Sequence, residues 1–315
     1  MADHLNSGFD RLSAMSRRWR TVRLEHLGEL PVLHIRRGKH ECWVSLQGAQ
    51  VLGALLDGKP AVWANPAAEF KAGQAIRSGI PLCWPWFGDL NRNPQAVRGQ
   101  YSLPQPAHGF ARTLPFALTD VVEHAHVTEV EFSLRHRIGN QSLMLAVQVR
   151  LGNMLEVTLS TYNGSEAPFA LSTALHTYLP VTDIEQARIH GLGDRKAWDA
   201  CRDWQPGTLD DPLVIRAETD WVCPNAPETV TLIDPQGESA IKVNIRADLN
   251  GEPRPHALVI WNPWTDKARR LGQFRDEDYR HMLCLEAALA AENCVTLGPG
   301  EQLNLTTAIE NLIYT

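Results

Sequence analysis

The sequence predicts an all-β fold, an antiparallel sandwich or barrel, on three observations. Glycine and proline mark turns at roughly ten-residue spacing through the first part of the chain. Three later runs alternate strictly between apolar and polar side chains, the period of a strand with one buried face. Helical periodicity is confined to short pieces such as residues 274–279.

In chain order, residues 1–20 are polar with a basic patch at Arg17, Arg18 and Arg20, and are expected to form an N-terminal arm. Residues 21–315 are expected to form one domain, since all-β units often exceed about 200 residues. Short strands are predicted at residues 31–35, 42–46, 51–55 and 61–63, separated by Gly38, Gly48, Gly58 and Pro60. Val130, Phe132 and Leu134 interleave with Glu131, Ser133 and Arg135; the same alternation runs from Leu143 to Leu151 and from Leu155 to Leu159. With turns at residues 138–141 and 152–153, these three runs read as an antiparallel meander. Further strands are predicted at 213–217, 229–233, 240–245, 257–261, 282–285, 294–297 and 303–309.

With 44% hydrophobic and 21% charged residues, the chain can build a core and has no signature of disorder. A net charge of −6 argues against a broad basic surface, so neither nucleic acid nor an anionic membrane is an expected partner, and an anion must be caught by a few local arginines. No stretch has the apolar length of a membrane span and residues 1–20 lack a signal-peptide run, so a cytoplasmic, monomeric protein is expected. The six cysteines show no paired spacing and read as reduced, small buried hydrophobes.

The stretch from Ile76 to Arg112 is loop-like, with Gly79, Pro81, Pro85, Gly88 and Gly109 among Arg77, Trp84, Trp86, His108 and Arg112. Arginine offers forked donors to a phosphate or carboxylate, and tryptophan a flat face to a sugar ring. The plainer alternative makes the Trp-Pro-Trp run a core plug beside surface arginines. His176 ends an apolar run and is either structural or catalytic. Glu286 shares a strand face with Met282 and Cys284, where a charge is costly unless paired, protonated or functional; Arg280 is the obvious ion-pair partner. Asp220 is a third candidate, otherwise a turn aspartate, and the Trp261–Trp264 run reads as a packing corner. No nucleophile elbow, phosphate loop or metal-ligand spacing is present. What remains is acid, base and binding chemistry, without cofactor or metal.

Taken in order, IRSGIPLCWPWFG, PAHGFAR, ALHTYLPVTDI, ETD, VIWNPW, MLCLEAA and LGPGE resemble the aldose 1-epimerase (galactose mutarotase) superfamily, and within it the glucose-6-phosphate 1-epimerases, or hexose-6-phosphate mutarotases. The resemblance runs from Val22 to the C-terminus. It implies a large antiparallel β-supersandwich and interconversion of the α and β anomers of a hexose 6-phosphate. By position, it assigns His176 as general acid and Glu286 as base. It further assigns His108 beside the sugar, Asp220 to the hydroxyls, and Arg77 with Arg112 to the phosphate; Trp84 is the expected ring platform. The acid and base are expected on opposite sides of one cavity. Two positions depart from the family pattern: Ala107 stands where a glutamine is common, with Gln105 as a substitute, and Ala287 and Ala288 follow the glutamate where Pro-Gly is frequent. Competing expectations are the same reaction on unphosphorylated aldoses and a non-catalytic sugar-phosphate binding protein.

Overall fold

The computed structural model describes residues 16–313, so most of the expected N-terminal arm lies outside the described residues. Three antiparallel sheets of five, nine and eight strands make up the bulk of the structure, with a two-stranded ribbon beside them. The meander is realised as Thr128–Ile138, Gln141–Leu151 and Leu155–Asn163, paired in sequence order. In the last of these every second residue is buried, as the alternation requires. Gln302–Leu312 then pairs with Leu155–Asn163 on one side and Ser239–Leu249 on the other, tying the chain's end into the nine-stranded sheet.

A continuous hydrophobic cluster fills the space between the layers. It takes Phe132, Val147, Leu159 and Leu305 from the nine-stranded sheet, Leu258, Ile260 and Leu285 from the eight-stranded sheet, and Leu33 and Val44 from the five-stranded one. This is the predicted supersandwich. Because one face of the eight-stranded sheet packs on that cluster, its opposite face is free to build something else.

Several predicted elements differ in detail. Residues 213–217 are not a strand; only Leu213 forms an isolated bridge, to Ile189, where Pro212 denies a neighbouring donor. Residues 274–279 do not form a helix beyond a 3-10 turn at Asp278–His281. The 282–285 strand continues as Met282–Leu289, and all eight of its residues are buried. Ala287 and Ala288 therefore sit in a strand, not in a turn. Thr219–Cys223 is a strand that the sequence reading passed over, and it carries Asp220. Cys201 is exposed and Cys294 half-buried, while the other four thiols are buried. No helix of the described residues is long and apolar enough to cross a membrane.

Candidate active site

Register in the eight-stranded sheet places the key side chains. Leu175 pairs with Ala287 and Tyr178 with Cys284, so His176, at the break between Thr173–Leu175 and Tyr178–Pro180, falls beside Glu286. Directly paired residues share a sheet face. Glu286 pairs with Val259, and Val222 pairs with both Val259 and Trp198, which makes one row across the sheet. Cys284 pairs with Trp261, and Trp261 with Asp220, and Tyr178 completes a second row. Seven of these side chains, Glu286, Val259, Val222, Trp198, Trp261, Asp220 and Tyr178, line a cavity of about 1090 Å³, to whose wall residues of the segment 76–112 also contribute.

Within the cavity, His176 Nε2 lies 3.5 Å from Glu286 Oε1. Both side chains are buried, at 9% and 1% exposure, so neither charge is relieved by solvent. Burial, with Asp220 adding to it, holds the Glu286 carboxyl well above its ordinary range. Burial pushes His176 the other way, reinforced by His108, Arg77 and Arg112. The two stand shoulder to shoulder on one wall, not on opposite sides as expected, because adjacent chain segments of the same sheet deliver them. Arg280 is not the partner of Glu286; it pairs with Glu277 and Glu185 instead.

His108 and Gly109 both have positive φ, 64° and 66°, and this left-handed pair turns the imidazole into the cavity. The amide of Gly88 donates to His108 Nδ1 at 3.2 Å, which leaves Nε2 to carry the proton of the neutral ring. Burial, then the charges of Arg112, Arg77 and Lys267, lowers its pKa to about 3, so it stays neutral near pH 7. Asp220 is raised to about 6, chiefly by burial; Lys267 opposes that shift, and Glu218 and Asp199 add to it.

Arg77 and Arg112 both line the cavity. Both donate to main-chain carbonyls, Arg77 Nε to Gly272 at 3.3 Å and Arg112 Nη2 to Ala107 at 2.7 Å, and Arg77 also interacts with the Tyr178 hydroxyl. Neither forms an ion pair among the described residues, in contrast to Lys267, which pairs with Glu218 at 2.9 Å. Ala107 thus orients an arginine through its carbonyl, and Gln105 is held locally by Ser102 and lies outside the cavity wall.

Trp84 is not a platform. It is fully buried, donates its indole N–H to Thr161 at 3.1 Å and packs edge-on against Phe110. Trp86 is likewise buried, so the Trp-Pro-Trp run is a core plug, while the arginines beside it line the cavity and do not simply face solvent. The aromatic walls come instead from Tyr178, Trp261, Trp198 and Trp204. Tyr178 stacks on His176 at 4.9 Å between ring centroids. Sequence reasoning missed them; counting by twos from Val259 would have put Trp261 on the cavity face, but only the pairing showed which face that was.

Comparison with known proteins bears on these observations. The sequence profile of the family described as "Aldose 1-epimerase" matches residues 31–310. This chain belongs to the aldose 1-epimerase family. Its activity is accordingly of the isomerase type. A relative from Escherichia coli strain K12, named "Putative glucose-6-phosphate 1-epimerase", is 32% identical over 273 residues, covering 84% of this chain and 85% of the relative. A plant relative of the same name, from Cenchrus ciliaris, is 31% identical over 286 residues, covering 85% and 81%. The crystal structure of a "putative mutarotase" from Salmonella typhimurium superposes with a TM-score of 0.79 at 26% identity, covering 93% of this chain and 94% of the other. Of the residues singled out in the sequence, His176, Glu286, His108, Asp220, Arg77 and Arg112 all line this cavity and Trp84 does not.

Proposed function

We propose that this chain is a hexose-6-phosphate 1-epimerase, opening and reclosing the sugar ring by proton transfer. The observation that carries the reading is the His176–Glu286 pair, 3.5 Å apart, in a cavity that also holds two arginines without carboxylate partners among the described residues. The anomeric hydroxyl and the ring oxygen are bonded to the same carbon, so an adjacent acid and base can reach both at once. Glu286 takes the proton of the anomeric hydroxyl as His176 gives one to the ring oxygen, and the hemiacetal opens to the aldehyde. Rotation about the C1–C2 bond and reclosure with the roles reversed give the other anomer.

The pair needs one proton in total, and the opposed shifts of its members favour that proton on Glu286 in the free protein. The reaction as written needs it on His176. Arg77 and Arg112 are among the charges that disfavour the imidazolium. A phosphate dianion held between those guanidiniums cancels their field, so substrate binding moves the proton towards the acid that uses it. Binding energy at the phosphate also positions C1. His108 Nε2–H and Asp220 then serve the hydroxyls.

Anomer exchange of glucose 6-phosphate followed by NMR tests the assignment. Glu286→Gln is expected to lower the catalysed rate by about 10²- to 10⁴-fold. Equal rates for the two proteins would refute the base. Binding of the ester without any acceleration by wild type would make the chain a sugar-phosphate binder instead.

A further inference from the structure

We propose that Cys284, His176 and Glu286 form a site for a thiophilic divalent cation of the zinc type, and that such an ion excludes the sugar. One ligand atom from each residue lies within 4.8 Å of the others, and all three residues are buried. The sheet makes this cluster: Cys284 and Glu286 are two apart on one strand face, and His176 reaches the same point from the neighbouring segment.

The geometry suits a tetrahedral ion. Nitrogen and oxygen ligands about 2.1 Å from zinc stand about 3.4 Å apart at the tetrahedral angle. His176 Nε2 and Glu286 Oε1 are already 3.5 Å apart. The Cys284 sulfur, with its longer bond to zinc of about 2.3 Å, lies within 4.8 Å of both. Glu286 Oε2 is buried without a hydrogen-bond partner, so the carboxylate has capacity that its protein neighbours leave unfilled.

Charge and softness point to the same class of ion. A thiolate, a carboxylate and a neutral imidazole sum with a divalent cation to zero, the balance a buried site tolerates best. Magnesium and calcium prefer oxygen-only ligand sets and do not fit a sulfur ligand. His176 and Glu286 both line the cavity, which gives an ion its route to the cluster. The ion therefore takes the carboxylate and imidazole that the proposed ring opening uses, and the predicted competition with sugar rests on that reading.

Cobalt(II) chloride titrated into the full chain is the test, since a tetrahedral cobalt–thiolate centre has visible d–d bands and a near-ultraviolet charge-transfer band. Wild type is expected to show both, with magnesium failing to compete. Cys284→Ala is expected to lose the charge-transfer band and to bind more weakly by a larger factor than the roughly 10- to 100-fold that loss of an outer-shell partner costs. Near-ultraviolet circular dichroism verifies that the variant is folded, and Cys284→Ser, closer in volume, provides the same reading should alanine disturb the core. No tetrahedral spectrum in wild type, or an unchanged one in a folded variant, overturns the site. A second arm measures the KM for glucose 6-phosphate with zinc chloride present. A KM that zinc does not raise refutes exclusion of the sugar, whereas a wild type that turns over no hexose phosphate refutes the epimerase reading and leaves the cobalt result to decide the metal site.

Discussion

Glu286 carries two opposed demands, since a buried carboxyl useful as a base is a burden to the fold. Its folded-state pKa is raised, so the folded protein retains a proton that the unfolded chain releases above the ordinary value of 4.5. As pH rises past that value, this residue subtracts stability. Glu286→Gln removes the burden: its melting temperature should exceed that of wild type at pH 7 to 8, and the difference should vanish near pH 4, as scanning calorimetry would register. Asp220 sets a second pH dependence. Its raised pKa of about 6 means that the carboxylate, the form the proposed reaction needs to accept sugar hydroxyls, is lost as pH falls through about 6. The kcat/KM profile should therefore have an acidic limb near that value, and Asp220→Asn should abolish the limb while lowering the plateau. Trp84 is a matter of the core alone. Trp84→Phe leaves the Thr161 hydroxyl without its indole donor and should cost about 1–3 kcal/mol in denaturant unfolding, with KM for the sugar phosphate unchanged.

At the scale of elements, the segment 76–112 acts as a wall because Leu82 and Cys83 pair with Leu175 and Ala174 in the eight-stranded sheet and the rest of the segment is tied back onto itself. Phe110 and Ala111 donate main-chain hydrogen bonds to the Trp84 carbonyl, and His108 donates to Gly88. This close approach requires glycine at 109: a Cβ there would stand 2.0 Å from the Trp84 oxygen, on a backbone with φ of +66°. Gly109→Ala should destabilise the fold by about 2 kcal/mol or more, and should shift the His108 ring signals in NMR spectra because the imidazole moves with the turn. The strand Met282–Leu289 shows the same dependence on neighbours. Its burial on both faces leaves no alternation of exposure to read, yet the period of two still separates Leu283, Leu285 and Ala287, facing the main core, from Cys284 and Glu286.

Over the whole molecule, a net charge of −6 makes the general field unfavourable for a phosphate ester, so capture depends on the cavity. Arg77 and Arg112 have no competing ion pairs among the described residues and are free to take that role. Arg77→Ala and Arg112→Ala should each raise KM for glucose 6-phosphate by about tenfold or more, the loss of a hydrogen bond to a charged group, while rates on unphosphorylated glucose change little. Equal losses on both sugars would point to the free aldose as substrate. The layered architecture explains how a site can be this large without weakening the core. The eight-stranded sheet spends one face on the shared apolar cluster and the other on the cavity.

The sequence by itself determined the strand class, the meander, the loop character of residues 76–112 and the ordered motifs around His176 and Glu286, because each rests on local periodicity or residue order. Tertiary structure alone decided that Trp84 belongs to the core and Trp261 to the cavity, and that His176 and Glu286 stand side by side. The physical reason is that alternation assigns residues to one of two faces but cannot say what each face meets; only the pairing register and the packing of the layers do that.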